Sequence, residues 1–377
     1  VFGDMHQGRG DSSLCVFGKK ITPNEHALAE QFGWMDNYYA SGKSSAEGHQ
    51  WTDAAMVSDY VEKNVRAWLR SYPHRQEDAL VYNKRGFIWN QAMDHGKTVR
   101  IYGEACTTVY DKKLKWPDLY AKYQSGTKPF WHNTTTIKRI ENIIAPAYPD
   151  CDNLTFSDQQ RATEFIKEWE AFEQNNNLPE LMVLSLPNNH TVGTSPGWPT
   201  PNAMVADNDL ALGRIIEKIS HSRYWDSTVI FVTQDASQSG WDHISAYRTI
   251  GMVISPYSKP GVTATNYNQT SMVRTIEQIL SIPPMNVIDA TATPMFDCFN
   301  PVKRDFRFTA MTNNVPLDQM NAALTQLKGK ERKYALESLN ELFNEVDGGK
   351  DEAMNRIIWN YAKGDQKYQA IKKQPSQ

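Results

Sequence analysis

Apolar residues follow two rhythms along this chain, and the places where the rhythm changes mark its elements. Residues 181–186 (Leu-Met-Val-Leu-Ser-Leu), 228–233 (Thr-Val-Ile-Phe-Val-Thr) and 250–255 (Ile-Gly-Met-Val-Ile-Ser) are short runs with little alternation. That is the pattern of strands covered on both faces. Between the first two, residues 203–219 place Val205, Leu212, Ile215, Ile216 and Ile219 at helical spacing. Residues 165–172 and 271–280 carry the same helical rhythm. The order strand, helix, strand, loop, strand, helix predicts an α/β fold with a mostly parallel central sheet flanked by helices.

Towards the start the pattern is thinner. Thr22-Pro-Asn precedes a helical stretch over 25–32, with Pro23 near the first turn, where its missing N–H costs nothing. A second helix is expected over residues 46–70, and a short strand over 98–102. Beyond Pro301 the composition shifts, and residues 317–372 are nearly all helix formers, broken at Gly348-Gly349. The expected organisation is one domain over 1–300 and a C-terminal helical extension, 301–377, packed on it. No repeat of solenoid period is visible.

Composition narrows the function. Apolar residues make up 40% of the 377, enough for a large core, and the net charge is −3 with no dominant basic stripe. A nucleic-acid partner is therefore not expected. The most basic stretch, 328–333, reads as a solvated helix face. No run reaches the roughly 20 apolar residues of a membrane span. Cys15, Cys106, Cys151 and Cys298 are far apart with no C-x-x-C pair. This argues against a typical structural zinc site and leaves either three two-disulfide pairings or free buried thiols.

In open α/β sheets, ligands bind beyond the carboxyl ends of the strands. Pro187-Asn-Asn-His190-Thr follows the first apolar run, and Gln234-Asp235-Ala236-Ser follows the second, with Asp242-His243 further along the same loop. Each cluster alone reads as a capped loop; together they place His and Asp at one sheet edge. Upstream, Gly42-Lys-Ser-Ser45-Ala-Glu-Gly-His49 is a small-residue loop entering the second helix. A hydroxyl there meets the free N–H groups of a helix start, which favour an anion. The plain alternative is that Ser44 or Ser45 is only the N-cap.

These residues also resemble a known family. Thr22-Pro-Asn-Glu-His-Ala-Leu-Ala-Glu-Gln-Phe32, Leu186-Pro-Asn-Asn-His-Thr191, the stretch 199–213, Phe231-Val-Thr233, Asp242-His243, Arg248-Thr249, Ser255-Pro-Tyr257, Arg274-Thr-Ile-Glu277 and Asn355-Arg-Ile-Ile-Trp359 are similar to the bacterial phosphoesterase family. That alkaline-phosphatase-like family includes phospholipases C and acid phosphatases, and its nearest members here are exported ones often fused to a β-propeller. The resemblance implies a metal-dependent phosphoester hydrolase with a hydroxyl nucleophile. Carried over by position, Ser45 is the nucleophile and His49 closes its catalytic loop, while Asp235, Asp242, His243 and His190 belong to the metal site.

The same resemblance implies a divalent metal (zinc, manganese or calcium), a phosphoester small molecule or lipid headgroup as substrate, and an exported, periplasmic or cell-surface location. The departures are specific. Asn189 stands where the family has Asp, Gln234-Asp235-Ala236 where it has Glu-Asp-Asp, and Tyr247 where it commonly has His. The family's first strand, with a Glu-Asn-Arg metal-binding segment, lies ahead of Val1. Each lost carboxylate removes charge from a cation site. Two functions therefore follow: a phosphoester hydrolase, or a catalytically degenerate phosphoesterase fold that holds a protein partner.

Overall fold

The computed structural model describes residues 1–64, 76, 78–83, 85–238, 240–341, 343 and 349–368. Its helices are α1 (Pro23–Phe32), α2 (Ser45–Ala54), α3 (Asp59–Asn64), α4 (Ile88–Asp94), α5 (Trp116–Gln124), α6 (Asp158–Asn175), α7 (Pro201–Ser220), α8 (Gln269–Leu280), α9 (Val287–Thr291), α10 (Gly329–Asn340) and α11 (Asp351–Lys363). The strands are β1 (Trp34–Met35), β2 (Tyr38–Tyr39), β3 (Val99–Tyr102), β4 (Thr107–Tyr110), β5 (Trp131–Thr134), β6 (Leu181–Leu184), β7 (Ile230–Thr233), β8 (Gly251–Ile254), β9 (Val262–Thr263) and β10 (Tyr267–Asn268).

Helix α7 organises the core. Its apolar stripe (Ile215, Ile216, Ile219) packs with Phe32 of α1, Phe165 and Trp169 of α6, Trp225, and Met252 and Ile254 of β8. Its polar residues are used just as closely. Asp207 accepts the backbone N–H groups of Asp158 (2.7 Å) and Gln159 (3.2 Å), which open α6. Asp209 accepts those of Asn24 (3.0 Å) and Glu25 (2.7 Å), which open α1. Two aspartates on one helix thus satisfy the orphan donors of two others. Gly213 sits where α7 crosses α1, and a Cβ there would lie 2.3 Å from Asn24 Oδ1. The sequence signature at 199–213 is therefore largely architectural.

The long helix expected over 46–70 is divided. Ala55 takes a left-handed conformation (φ 51°) after α2, and Asn286 Nδ2 donates to the Ala54 carbonyl at 2.9 Å. The chain resumes as α3; residues 65–70 of the expectation lie outside the described residues.

Parallel pairing predominates, as the apolar runs predict: β1–β9, β2–β10 and β3–β6 are parallel, β4–β5 and β7–β8 antiparallel. The three central apolar strands do not share one ladder, however. β6 pairs with β3 in the register Val99↔Leu181, and β7 pairs with β8 in the register Ile230↔Ile254. Among the described residues no ladder joins β6 to β7, and residues of both strands line one cavity.

Beyond residue 300 the chain first runs as an irregular strap over α7 and α1. Phe308 is fully buried, Trp225 Nε1 donates to the Phe306 carbonyl (2.9 Å), and Met311 N donates to Asn24 Oδ1 (2.7 Å). Helices α10 and α11 follow, the latter burying Met354, Ile357 and Ile358 against Leu154, Val192 and Met204. Residues 342, 344–348 and 369–372 of the expected helical stretch lie outside the described residues. The basic stretch 328–333 is solvent-exposed, and no helix among the described residues is long and apolar enough to cross a membrane. All four cysteines are free thiols, three of them buried.

Candidate active site

Beyond the carboxyl ends of β6 and β7 lies a cavity of about 550 Å³. Ser45, His49, Asn189, His190, Gln234, Asp235, Ala236, Asp242 and His243 all line it, so the structure brings the expected site residues to one place. Tyr247 is not among them. It is solvent-exposed, with the Lys43 ammonium 4.8 Å from its ring centre.

Ser44 occupies the N-cap of α2 and Ser45 the first helical position. Glu47, three residues on, turns back to accept the Ser44 N–H (3.3 Å) and the Lys43 N–H (2.8 Å). This holds the helix entrance, as in a capping box. The Ser45 hydroxyl accepts from Gln238 Nε2 at 3.4 Å. One turn further, Gly48 lies against the second loop, where a Cβ would stand 2.3 Å from the Asp235 carbonyl oxygen. Only a residue without a side chain lets α2 approach so closely.

His49 joins the two loops. Its Nδ1 lies 2.9 Å from Glu104 Oε2, and its Nε2 lies 3.8 Å from Asp235 Oδ2. Burial would lower its pKa, but the carboxylate of Glu104, followed by Asp235 and Asp53, outweighs that and pushes it up to about 10. Glu104 also accepts a hydrogen bond from Ser185 Oγ. Asp53, one turn after His49 and buried, is held well above the usual carboxylate range by its burial and by Glu104. His190 is shifted the other way, downwards, because it is buried. Its Nδ1 lies 3.2 Å from the Thr191 carbonyl oxygen.

The remaining expected positions are placed differently. Asp242 accepts the N–H groups of Ile244 (2.7 Å) and Ser245 (3.1 Å), and its other oxygen pairs with Arg248 Nη1 (2.8 Å). His243 and Asn189 are exposed at the rim. Gln234 Oε1 accepts from Thr249 Oγ1, and Ala236 is buried.

Glu104 was not anticipated from the sequence. It directly follows β3 and Gly103, so the strand-end rule that exposed the other loops applies to it as well. Its signal is weak because β3 is short and lies in the least patterned part of the chain. Cys151 joins it: donor atoms of His49, Glu104 and Cys151 lie within 4.8 Å of one another.

A hydroxyl at a helix start thus faces strand-end carboxylate and imidazole groups on an α/β frame. Residues 4–283 match the Phosphoesterase family, and the chain belongs to that family. No curated protein matches it. Among solved structures, it is similar to a protein in the alkaline phosphatase superfamily from Vibrio parahaemolyticus (17% identity, TM-score 0.45, 71% of this chain and 63% of that one). It is also similar to the lipoteichoic acid synthase LtaP from Listeria monocytogenes (12% identity, TM-score 0.45, 93% and 87%). The chain thus spans less than two thirds of the Vibrio protein.

Proposed function

We propose that the protein is a metal-dependent phosphoester hydrolase in which Ser45 is the nucleophile. The observation that carries this reading is the meeting of the Ser45 helix start with the Asp235 loop across one cavity, joined by His49. Ser45 Oγ attacks phosphorus and gives up its proton to solvent, the P–O bond to the leaving alcohol breaks, water then hydrolyses the phosphoseryl ester, and N–H groups at the start of α2 receive the phosphoryl oxygens. Glu104 fixes His49 so that its Nε2 faces Asp235, keeping that carboxylate aimed into the cavity. His190, held neutral by burial, offers a ring nitrogen from the opposite loop.

The donor set fits a divalent cation in part. Asp235 Oδ2 is buried without a hydrogen bond, and the cluster of His49, Glu104 and Cys151 supplies nitrogen, oxygen and sulfur donors. Asp235, His190 and that cluster are the residues that would hold the ion, while Asp242 is committed to Arg248 and His243 stands at the rim. When bound, the ion supplies Lewis-acid stabilisation and lowers the pKa of the attacking hydroxyl. The substrate is a phosphoester small molecule or lipid headgroup, met in an exported, periplasmic or cell-surface setting.

Purified protein supplied with zinc, manganese or calcium should hydrolyse a generic aryl phosphate. Ser45→Ala should lower kcat at least about 100-fold at unchanged Tm. No turnover with any of the three ions sinks the reading. A second reading, a degenerate phosphoesterase fold that binds a protein partner, is favoured by Gln234 being tied to Thr249 and by the buried Ala236. Elemental analysis separates the two, since a tightly held stoichiometric metal contradicts the second.

A further inference from the structure

The two loops that carry the site contain strained backbone. Thr191, directly after His190, has φ 60° and ψ 172°, a combination that is essentially glycine's alone. In the loop after β7, Gln238 takes a left-handed conformation with φ 47°, which side chains rarely adopt. Such residues persist only where their surroundings over-determine them. In both loops those surroundings include the chain beyond residue 320.

The loop after β6 is gripped at several points. Asn321 Nδ2 lies 3.3, 3.0 and 3.1 Å from the carbonyl oxygens of Gly193, Ser195 and Pro199. Thr194 N donates to Ser338 Oγ of α10 at 3.1 Å, and a Cβ on Gly193 would lie 2.7 Å from that same oxygen. Thr191 Oγ1 meets Met354 Sδ of α11 at 3.8 Å. The loop after β7 is held by the next turn of α11. Asn355 Nδ2 donates to the Gln238 carbonyl at 3.5 Å, and the Trp241 ring packs on Trp359 with centroids 5.5 Å apart. Tyr368 closes on Trp241 edge-on at 6.4 Å. An ion pair between Arg356 and Glu337 ties the two helices to each other. The grip reaches the nucleophile, because Gln238 is the residue whose Nε2 donates to Ser45 Oγ at 3.4 Å.

We propose that α10 and α11 form a clamp that holds both site loops in their strained conformations and, through Gln238, sets the position of the Ser45 hydroxyl. Asn321, Ser338 and Trp359 are then positioning residues, each acting through a loop. Thr191 decides where the His190 imidazole stands, and it is fixed from α11. Gln238 aims its amide at Ser45 only while Trp241 stays stacked on Trp359. A displacement of about 1 Å at a reacting atom can cost about 100-fold in rate, so the clamp matters to the chemistry although its residues stand outside the reacting groups. The clamp itself rests on these contacts; its use in catalysis rests on the reading of Ser45 as the nucleophile.

The test pairs amide hydrogen exchange with kinetics. In Asn321→Ala the amides of residues 193–195, and in Trp359→Ala those of Gln238 and Trp241, should exchange at least about tenfold faster, with the amides inside α6 unchanged. Asn321→Ala removes no buried apolar group and carries this arm should Trp359→Ala not fold. With manganese and an aryl phosphate, each of these variants should lower kcat at least about tenfold at a KM within about twofold of the parent's. Trp359→Phe keeps an aromatic ring against Trp241 and should recover most of the loss. The Gln238→Ala/Trp359→Ala double variant should be no slower than the slower single one, since both act on one hydroxyl. Ile219→Ala, a core substitution in α7, should lower Tm and leave kcat unchanged. Parental exchange in both loops overturns the proposal, and so does faster exchange with parental kcat or an additive double variant. Faster loop exchange in a protein whose parent shows no turnover would uphold the clamp and defeat only the hydrolase reading.

Discussion

In the metal-free protein His49 holds its proton because of what surrounds it, a proton it would give up on ligating a cation, and the arrangement has a measurable sign. Its folded pKa of about 10 lies above the ordinary 6.5. The stabilisation it contributes is therefore complete below about pH 6.5 and is lost as pH rises through 10. Glu104→Gln removes the principal carboxylate, so the His49 titration followed by NMR should move down towards the ordinary value. The variant's unfolding midpoint should also vary less between pH 6.5 and 10 than that of the parent; an unmoved titration would mean that Glu104 does not set the charge. A second expectation concerns the amides. Asn189→Asp, Gln234→Glu and Ala236→Asp together add three carboxylates to the cavity lining. Manganese affinity by titration calorimetry should rise at least about tenfold. No gain would show that the loops do not converge on one ion. The loops holding these residues were legible because they follow obvious strands. Glu104 and Cys151 were not, since their neighbours carry little periodicity and their meeting with His49 depends on tertiary packing alone.

At the scale of elements, close approach and capping decide more than propensity. Gly48→Ala places a methyl group against the Asp235 carbonyl, which cannot yield without moving α2 or the loop after β7. Activity should drop by more than about tenfold, while the loss of stability stays near 1–3 kcal/mol, in the range for overpacking. Unchanged kinetics would show that the helix start and the loop are not coupled. Asp207→Ala leaves the Ser157 cap of α6 in place but takes the acceptor from the buried N–H groups of Asp158 and Gln159, at a cost of about 2–4 kcal/mol by chemical denaturation. Periodicity located α6, α7 and α8 well because their apolar stripes are long. It overran α2, because nothing in the residues 46–70 announces that Ala55 will adopt a left-handed turn.

For the molecule as a whole, the sequence conveyed the alternation of helices with short strands and the predominance of parallel pairs. It did not convey that β7 and β8 run antiparallel, because the loop between them, with Asp242 and Arg248 paired, is long enough for either direction. Nor did it reveal the dual role of α7, whose aspartates meet the helix starts they satisfy only in the folded chain. The capping has a consequence for the order of events at the ribosome. Asp209 lies 185 residues after Asn24, whose N–H it holds. At about 5–20 residues per second, α1 emerges roughly 10–40 seconds before its cap exists. Until then a ten-residue helix has little intrinsic stability. The first helix of the chain must therefore wait, open to proteases and chaperones, and nascent chains stalled before residue 209 should be cleaved within residues 23–32 while those stalled well beyond it resist.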